Sequence, residues 1–225
     1  MDLTNIILII CILIIPLIAQ ILISSRYKKY SEIENAENLS GFETARKILD
    51  ANGLGDMDIV AVPGNLTDHY DPQRKVVRLS QSNFDNNSIA AMAVAAHECG
   101  HAIQDKEGYL MMKIRSAIVP VVKLGTTLSY IIIVIGCLFE LLNLVYIGIA
   151  LTALGLLFQL ITLPVEFDAS SRALKQINAL GLSSENDADG VKKVLSAAAM
   201  TYVAGVLASL LQIIRLILIF TNRRD

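Results

Sequence analysis

The chain alternates between long apolar runs and polar segments, and this alternation predicts most of its elements. Residues 3–23 carry no charged side chain, and such a run is long enough to cross a bilayer core of about 30 Å as a helix. We interpret residues 1–23 as a transmembrane anchor. A cleaved signal peptide is less favoured, because Asp2 stands where a basic region belongs and no small-residue cleavage site follows.

A second apolar stretch, residues 117–163, is too long for one crossing and predicts a hairpin of two spans. Helices are expected at 118–139 and 144–163. Glu140 and Asn143 are the strongly polar pair in the middle of this stretch, and they predict a tight turn between the two helices.

The chain after this hairpin begins with Pro164, which is expected to end the second span. Residues 164–190 are predicted to form an amphipathic helix closed by Gly181 and then an acidic loop at 183–190. The last segment, 191–225, is predicted to be a long helix that also crosses the membrane, although Arg215 interrupts its apolar run.

Residues 24–116 make up the main polar segment. Its predicted elements are a helix with a capping-box pattern at Ser40 and Glu43, strands at Asp58–Val62 and Lys75–Ser80, a turn-rich connection at Pro63–Pro72, and a helix from about Ser88 to Lys106. Two interpretations of the strands remain open. They form either an ordinary hairpin over a small core, or an exposed edge to which an extended peptide adds as a further strand.

Composition and charge support a membrane protein with a modest aqueous part. Hydrophobic residues make up 54% of the chain, charged residues 18%, and the mean hydropathy is +0.54. The net charge of −2 leaves no basic domain for nucleic acid. Most basic residues flank the anchor and the hairpin on one side, which predicts a cytoplasmic location for both polar segments. Arg223 and Arg224 would lie on the opposite side of the membrane, against this charge bias, if the last helix crosses it.

The polar segment carries the motif His97-Glu98-x-x-His101. Positions i and i+4 of an α-helix lie on one face, so the two imidazoles can bind one zinc ion. Glu98 is then close enough to take a proton from the metal's water as a general base. Cys99 points to roughly the opposite side of the helix and is expected to be a small buried residue.

A catalytic zinc site has three protein ligands and keeps its fourth position for water. Glu166 is the candidate third ligand, because it follows the two-span hairpin and therefore lies on the same side of the membrane as the motif. Its alternative role is a first-turn carboxylate that stabilises the helix dipole, and Asp168 is the rival ligand. His69 is a candidate donor to the oxyanion, and Tyr202 is a second one.

Three stretches of the chain, LTDHYDP, AAHECGHAIQ and LPVEFDASSRAL, together resemble the YugP-like neutral zinc metallopeptidases. More distantly, the chain is similar to the membrane-embedded gluzincins of the HtpX and CAAX prenyl endopeptidase types. The resemblance covers nearly the whole chain. It implies zinc on His97, His101 and Glu166, with Glu98 as the general base.

One position departs from the broader gluzincin pattern. That pattern has an aspartate four residues after the glutamate ligand, and Ser170 stands there in this chain. Asp168 or Ser170 is therefore expected to orient the metal-ligating side chains through a hydrogen bond, without contacting the metal.

These observations predict an α-helical membrane protein with about four transmembrane helices and a small α+β zincin-type catalytic portion. The expected function is a zinc-dependent endopeptidase that cuts peptides or membrane proteins at the cytoplasmic face of a bacterial cell membrane. The alternative is a catalytically silent zinc-binding membrane adaptor or regulatory protein. Glu98 separates the two, because a protein that only holds a metal needs no general base.

Overall fold

The computed structural model describes residues 3–221; Asp2, Arg223 and Arg224 lie outside the described residues. The elements in that range are α1 (Leu3–Ser31), α2 (Gly41–Ala51), β1 (Asp58–Val62), β2 (His69–Asp71), β3 (Val76–Ser80), α3 (Gln81–Phe84), α4 (Ile89–Lys106), α5 (Leu110–Leu138), α6 (Leu142–Ala179) and α7 (Glu185–Thr221). They divide into two compact units. Of the described residues, the apolar unit comprises 3–20, 113–163 and 201–221, and the polar unit comprises Ile21–Met112 and Pro164–Met200.

Among residues 3–221, four helices are long and apolar enough to cross a membrane: α1, α5, α6 and α7. This agrees with the four predicted spans, and the protein is a helical membrane protein with a small α+β portion. In the apolar unit, glycine allows α5 and α6 to approach closely, because a Cβ on Gly148 would lie 2.4 Å from a side-chain carbon of Ile133. The tight turn between these helices contains Glu140, whose φ is +56°.

Pro164 does not end a helix, because α6 runs unbroken from Leu142 to Ala179, although the apolar unit does end at Leu163, where the second span was expected to end. The ring fixes φ close to the helical value, so the main loss is the hydrogen bond that an N–H would donate to the carbonyl four residues earlier. Helices in membranes tolerate this loss, and Pro16 and Pro120 also lie inside helices. Gly181, with φ +61°, follows the end of α6 as expected.

The predicted acidic loop is also shorter than expected, because α7 begins at Glu185 and not at residue 191. Ser184 and Asp187 cap this helix reciprocally. The Asp187 N–H donates to Ser184 Oγ at 3.2 Å, and the Ser184 N–H donates to Asp187 Oδ2 at 3.1 Å. The acidic residues therefore stabilise the start of a helix, where they satisfy free N–H groups and the helix dipole.

The polar unit contains a three-stranded sheet with the order β1-β3-β2. Strand β1 pairs with β3 in parallel, and β2 pairs with β3 antiparallel, so the hairpin interpretation of the two predicted strands is wrong. The alternative interpretation required one of the predicted strands to lie at an edge, and β1 does lie at one edge of the sheet. The other edge is β2, which lies inside the segment expected to be only turns. Its three residues are too few to show the alternation by which strands are recognised.

Helix α4 forms the centre of the polar unit's core. It begins after Ser88, whose Oγ accepts from the Ala91 N–H at 3.2 Å, and it ends at Lys106, as predicted. The capping box at the start of α2 is confirmed as well. Side chains from four other elements bury α4 on several sides: Ile48 and Leu49 of α2, Val77 and Leu79 of β3, Val165 and Ile177 of α6, and Val191 and Val194 of α7.

Candidate metal centre

Helices α4 and α6 bring His97, His101 and Glu166 together in the polar unit. One potential ligand atom from each residue lies within 4.8 Å of the other two. Glu166 Oε2 is 3.2 Å from His97 Nε2 and 3.6 Å from His101 Nε2. Two ligand atoms at the corners of a tetrahedral zinc site with bonds of about 2.1 Å are about 3.4 Å apart. The residues therefore fit a His₂–Glu zinc site.

The electrostatics of the cluster also favour a cation. Glu166 is only 2% exposed, and Glu98 is 8% exposed, so both residues are buried. Burial by itself would lower the pKa of His101, but the hydrogen bond to Glu166 and the charges of Glu98 and Glu166 outweigh it and raise this pKa. Buried carboxylates of this kind need a compensating positive charge.

A glycine determines how closely α6 approaches α4. A Cβ on Gly100 would lie 2.5 Å from the backbone oxygen of Ala169 and 3.1 Å from its Cα. No side chain fits in that space, so the backbones of the two helices touch between His97 and His101. Glu166 lies one turn before Ala169 on α6, and the contact therefore brings its carboxylate to the two rings.

The sequence left Asp168 and Ser170 as alternative orienting residues, and the structure shows each of them serving a different histidine. Ser170 Oγ is 3.2 Å from His97 Nδ1. Because Nδ1 is engaged by the hydroxyl group and Nε2 is directed at Glu166, the ring presents Nε2 to the centre of the cluster.

Asp168 acts on the second histidine through Gln104. Gln104 Nε2 donates to Asp168 Oδ2 and to the Val165 carbonyl, both at 2.8 Å. The amide oxygen is thereby turned to His101 Nδ1, 3.0 Å away. Since an amide oxygen only accepts, His101 must donate from Nδ1, and the neutral form of the ring then carries on Nε2 the lone pair that a metal requires.

The network continues to the surface of the polar unit. Arg172 donates to Asp168 Oδ2 and to Glu107 Oε2, both at 2.6 Å. The sequence patterns assigned no role to Arg172 and did not single out Gln104. The signal for Gln104 was its position three residues after His101, on the same helical face.

Glu98 faces the edge strand of the sheet. Its Oε2 accepts from the Tyr70 N–H at 2.8 Å. The Tyr70 hydroxyl group donates to Asp105 Oδ2 at 2.6 Å, and Lys75 also bonds that carboxylate. Burial and Asp105 raise the pKa of Tyr70, so its phenol remains a donor. Strand β2 is thus held along α4 at two points, two helical turns apart.

The other residues singled out from the sequence lie away from the cluster or make other contacts. His69 is exposed, and its Nδ1 lies 2.8 Å from the Thr67 carbonyl oxygen. Because Tyr70 faces α4, strand alternation turns the His69 ring to the opposite face of the sheet. Cys99 is buried in the core, and burial raises the pKa of its thiol. Tyr202 belongs to the apolar unit and stays a prediction.

Comparison with known proteins identifies the family. The profile of a family described as "Putative neutral zinc metallopeptidase" matches residues 5–221. The chain belongs to this family. It is also 48% identical over 207 residues to the "Putative membrane protease YugP" of Bacillus subtilis (strain 168). The matched residues make up 92% of each of the two chains. No solved structure matches the chain. Membership of the family implies Zn²⁺ as the metal, and the His₂–Glu cluster is its candidate site.

Replacement of Gly100 by Ala should loosen the metal centre. The new methyl group would force α6 away from α4, and overpacking of this kind costs about 1–3 kcal/mol. We expect zinc affinity to fall at least about tenfold, measured by competition with a chromophoric chelator. Gly205→Ala is the control, since its Cβ would meet nothing nearer than 3.6 Å. Equal zinc affinity in both variants would contradict the proposed role of the close contact.

Replacement of Gln104 by Met should weaken zinc binding with little loss of volume. The variant removes the acceptor at His101 Nδ1, and loss of such an outer contact lowers metal affinity about 10–100-fold. Gln176→Met on α6 is the matched control, because Gln176 bonds Asn52 outside the cluster. A zinc dissociation constant that does not differ between the two variants would show that Gln104 has no orienting role.

Proposed function

We propose that the protein is a zinc endopeptidase of the gluzincin type, with His97, His101 and Glu166 as the metal ligands and Glu98 as the general base. The observation that carries the proposal is the convergence of two imidazoles and one buried carboxylate, with a second carboxylate beside them. Family membership supports the peptidase activity at a coarser level.

Zinc bound in this cluster supplies a Lewis acid that acidifies water and polarises a peptide carbonyl group. Glu98 accepts the proton of the attacking water and passes it to the leaving amine. The Tyr70 N–H supports this role, because its hydrogen bond holds the Glu98 carboxylate in one orientation. Gln104 holds neutral His101 in the tautomer with the lone pair on Nε2, and Ser170 contacts His97 at Nδ1 and so leaves its Nε2 facing the cluster.

The proposed substrate is an extended segment of polypeptide. Strand β2 is an edge strand, and the Tyr70 N–H points away from β3, since it bonds Glu98 of α4. The N–H and C=O groups of one residue in a strand lie on the same edge, so the Tyr70 carbonyl is also directed outward. Since the N–H is already bonded to Glu98, an extended peptide can pair with this edge through the Tyr70 carbonyl, beside the cluster. His69 has no part in this mechanism, because its ring lies on the other face of the sheet.

We further propose that the active site faces the cytoplasm. Two crossings, by α5 and α6, separate His97 from Glu166 along the chain, so both residues lie on one side of the membrane. The basic residues Arg26, Lys28 and Lys29 close the first span on that same side. Positive charge next to a span favours the cytoplasmic side.

The ligand set predicts which single substitutions remove zinc. His97→Ala, His101→Ala and Glu166→Ala should each lower the zinc content of the purified protein from about one ion per chain to well below half, since three ligands are needed to hold the ion. Elemental analysis by mass spectrometry measures this content. Cys99→Ala is the control within the same helix and should keep its zinc. Zinc retained by the Glu166 variant would reject that ligand.

Replacement of Glu98 by Gln should separate metal binding from catalysis. The amide retains the shape of the side chain but cannot accept a proton, so zinc should remain while the rate of peptide cleavage falls at least about 100-fold. Cleavage of a fluorogenic peptide library by the reconstituted protein measures the rate, and exposed Glu37→Gln is the control. Cleavage by Glu98→Gln at the rate of the unsubstituted protein would exclude the general-base role, and zinc binding without any cleavage by the unsubstituted protein would favour the adaptor.

The orientation can be tested with single exposed cysteines. Lys47→Cys lies on α2 and Glu140→Cys in the turn between the two middle spans, and both positions are exposed. A membrane-impermeant maleimide should label Glu140→Cys in intact cells and Lys47→Cys only after the cells are broken. The unsubstituted protein gives the background from its own cysteines. The reverse pattern would place the metal centre outside the cell.

A further inference from the structure

A second site lies in the polar unit, between the end of α1 and the first turns of α7. It is a cavity of about 310 Å³. Its lining combines three cations, one carboxylate and several apolar or small side chains: Leu22, Arg26, Asp189, Lys192, Lys193, Ser196, Ala197 and Met200. None of these residues belongs to the metal centre or to its outer hydrogen bonds.

The cavity has an excess of positive charge. Lys193 is paired with Asp189 one turn earlier on α7. Arg26 and Lys192 form no ion pair with any residue between 3 and 221. Arg26 also lies close enough to Lys193 for the two like charges to interact. Two uncompensated cations next to a third favour an anionic ligand.

The apolar side chains lie at the other end of the cavity. Leu22 precedes Arg26 by one turn on α1, toward the apolar run of that helix, and 37% of it is exposed. Met200 follows Lys192 by two turns on α7, again toward the apolar run, and 47% of it is exposed. These offsets correspond to about 6 Å and 12 Å along the helix axes. Both helices thus change from basic to apolar in the same direction.

Cations at one end of the cavity and apolar side chains at the other match an amphiphilic ligand better than a free anion. A soluble phosphate ion needs the cations alone and leaves Leu22 and Met200 in water. A phospholipid places its phosphate among the cations and its glycerol and first acyl carbons against the apolar side chains. The position of the cavity along the two helices also fits a lipid. Arg26 and Lys192 each lie where a polar helix segment meets an apolar run, and basic residues at such a boundary attract acidic lipid.

We propose that this cavity binds one acidic phospholipid, with the phosphate held by Arg26 and Lys192 and the start of an acyl chain lying along Leu22 and Met200. The site does not depend on the metal centre. It would hold the ends of α1 and α7 in register at the membrane surface.

The test uses the full chain, delipidated in a neutral detergent, with bound lipid counted by native mass spectrometry. Phosphatidylglycerol and phosphatidylcholine of equal chain length are titrated separately. The unsubstituted protein should bind one phosphatidylglycerol at least about tenfold more tightly than phosphatidylcholine. Arg26→Gln or Lys192→Gln should each reduce that affinity about fivefold, and both together about 25-fold. Arg26→Lys should restore most of the binding.

Lys28→Gln is the matched control, because it removes one charge from the same end of α1 outside the cavity. It should leave the affinity within about twofold. An equal loss of phosphatidylglycerol affinity in Lys28→Gln and Arg26→Gln would indicate diffuse electrostatic attraction instead of a site, and would overturn the proposal. Displacement of the lipid by an equal concentration of inorganic phosphate would overturn it in favour of a free-anion site. Zinc content and unfolding temperature, measured in parallel, should be unchanged in every variant.

Discussion

The candidate metal centre depends on one close contact, the approach of the α6 backbone at Ala169 to Gly100 of α4. The two helices meet where the space left by a missing side chain is filled by the backbone of the other helix. Glu166 is one turn from this contact, and His97 and His101 lie on either side of it. Distances of 3.2 and 3.6 Å between the carboxylate and the two rings follow from that approach. A larger residue at position 100 would separate the ligands without changing any of them.

Around this contact, hydrogen bonds orient the two histidines. The Gln104 amide group has both of its donor contacts on α6, and its oxygen therefore turns to His101. Ser170 engages His97 in the corresponding way. Each imidazole is held through Nδ1 by a residue that α6 supplies or orients. The same helix that carries Glu166 thus also orients both histidines, so the geometry of the whole cluster is set by the packing of α4 and α6.

Much of the fold could be predicted from local patterns, and the errors have local causes as well. The apolar runs predicted four spans, and the caps at Ser40 and Ser88 marked helices correctly. Pro164 was expected to end a helix, but α6 continues through it because the φ of proline suits a helix and only one hydrogen bond is lost. Strand β2 escaped notice because three residues show no alternation, and its place at the edge of the sheet depends on pairing with β3, which lies several residues further along the chain.

The sequence was enough to recognise the spans, the motif helix, the family and the candidate ligands, because each of these follows from local spacing or from a run of similar residues. Three further relations became visible only in the packed fold: Gly100 allows a helix contact, Gln104 connects Asp168 to His101, and the Tyr70 backbone holds Glu98. The contacts of Gly100 with Ala169, of Gln104 with Asp168 and of Tyr70 with Glu98 join residues 28 to 69 positions apart. Distances between residues so far apart are set by the packing of the polar unit's core, and no local pattern in the chain records them.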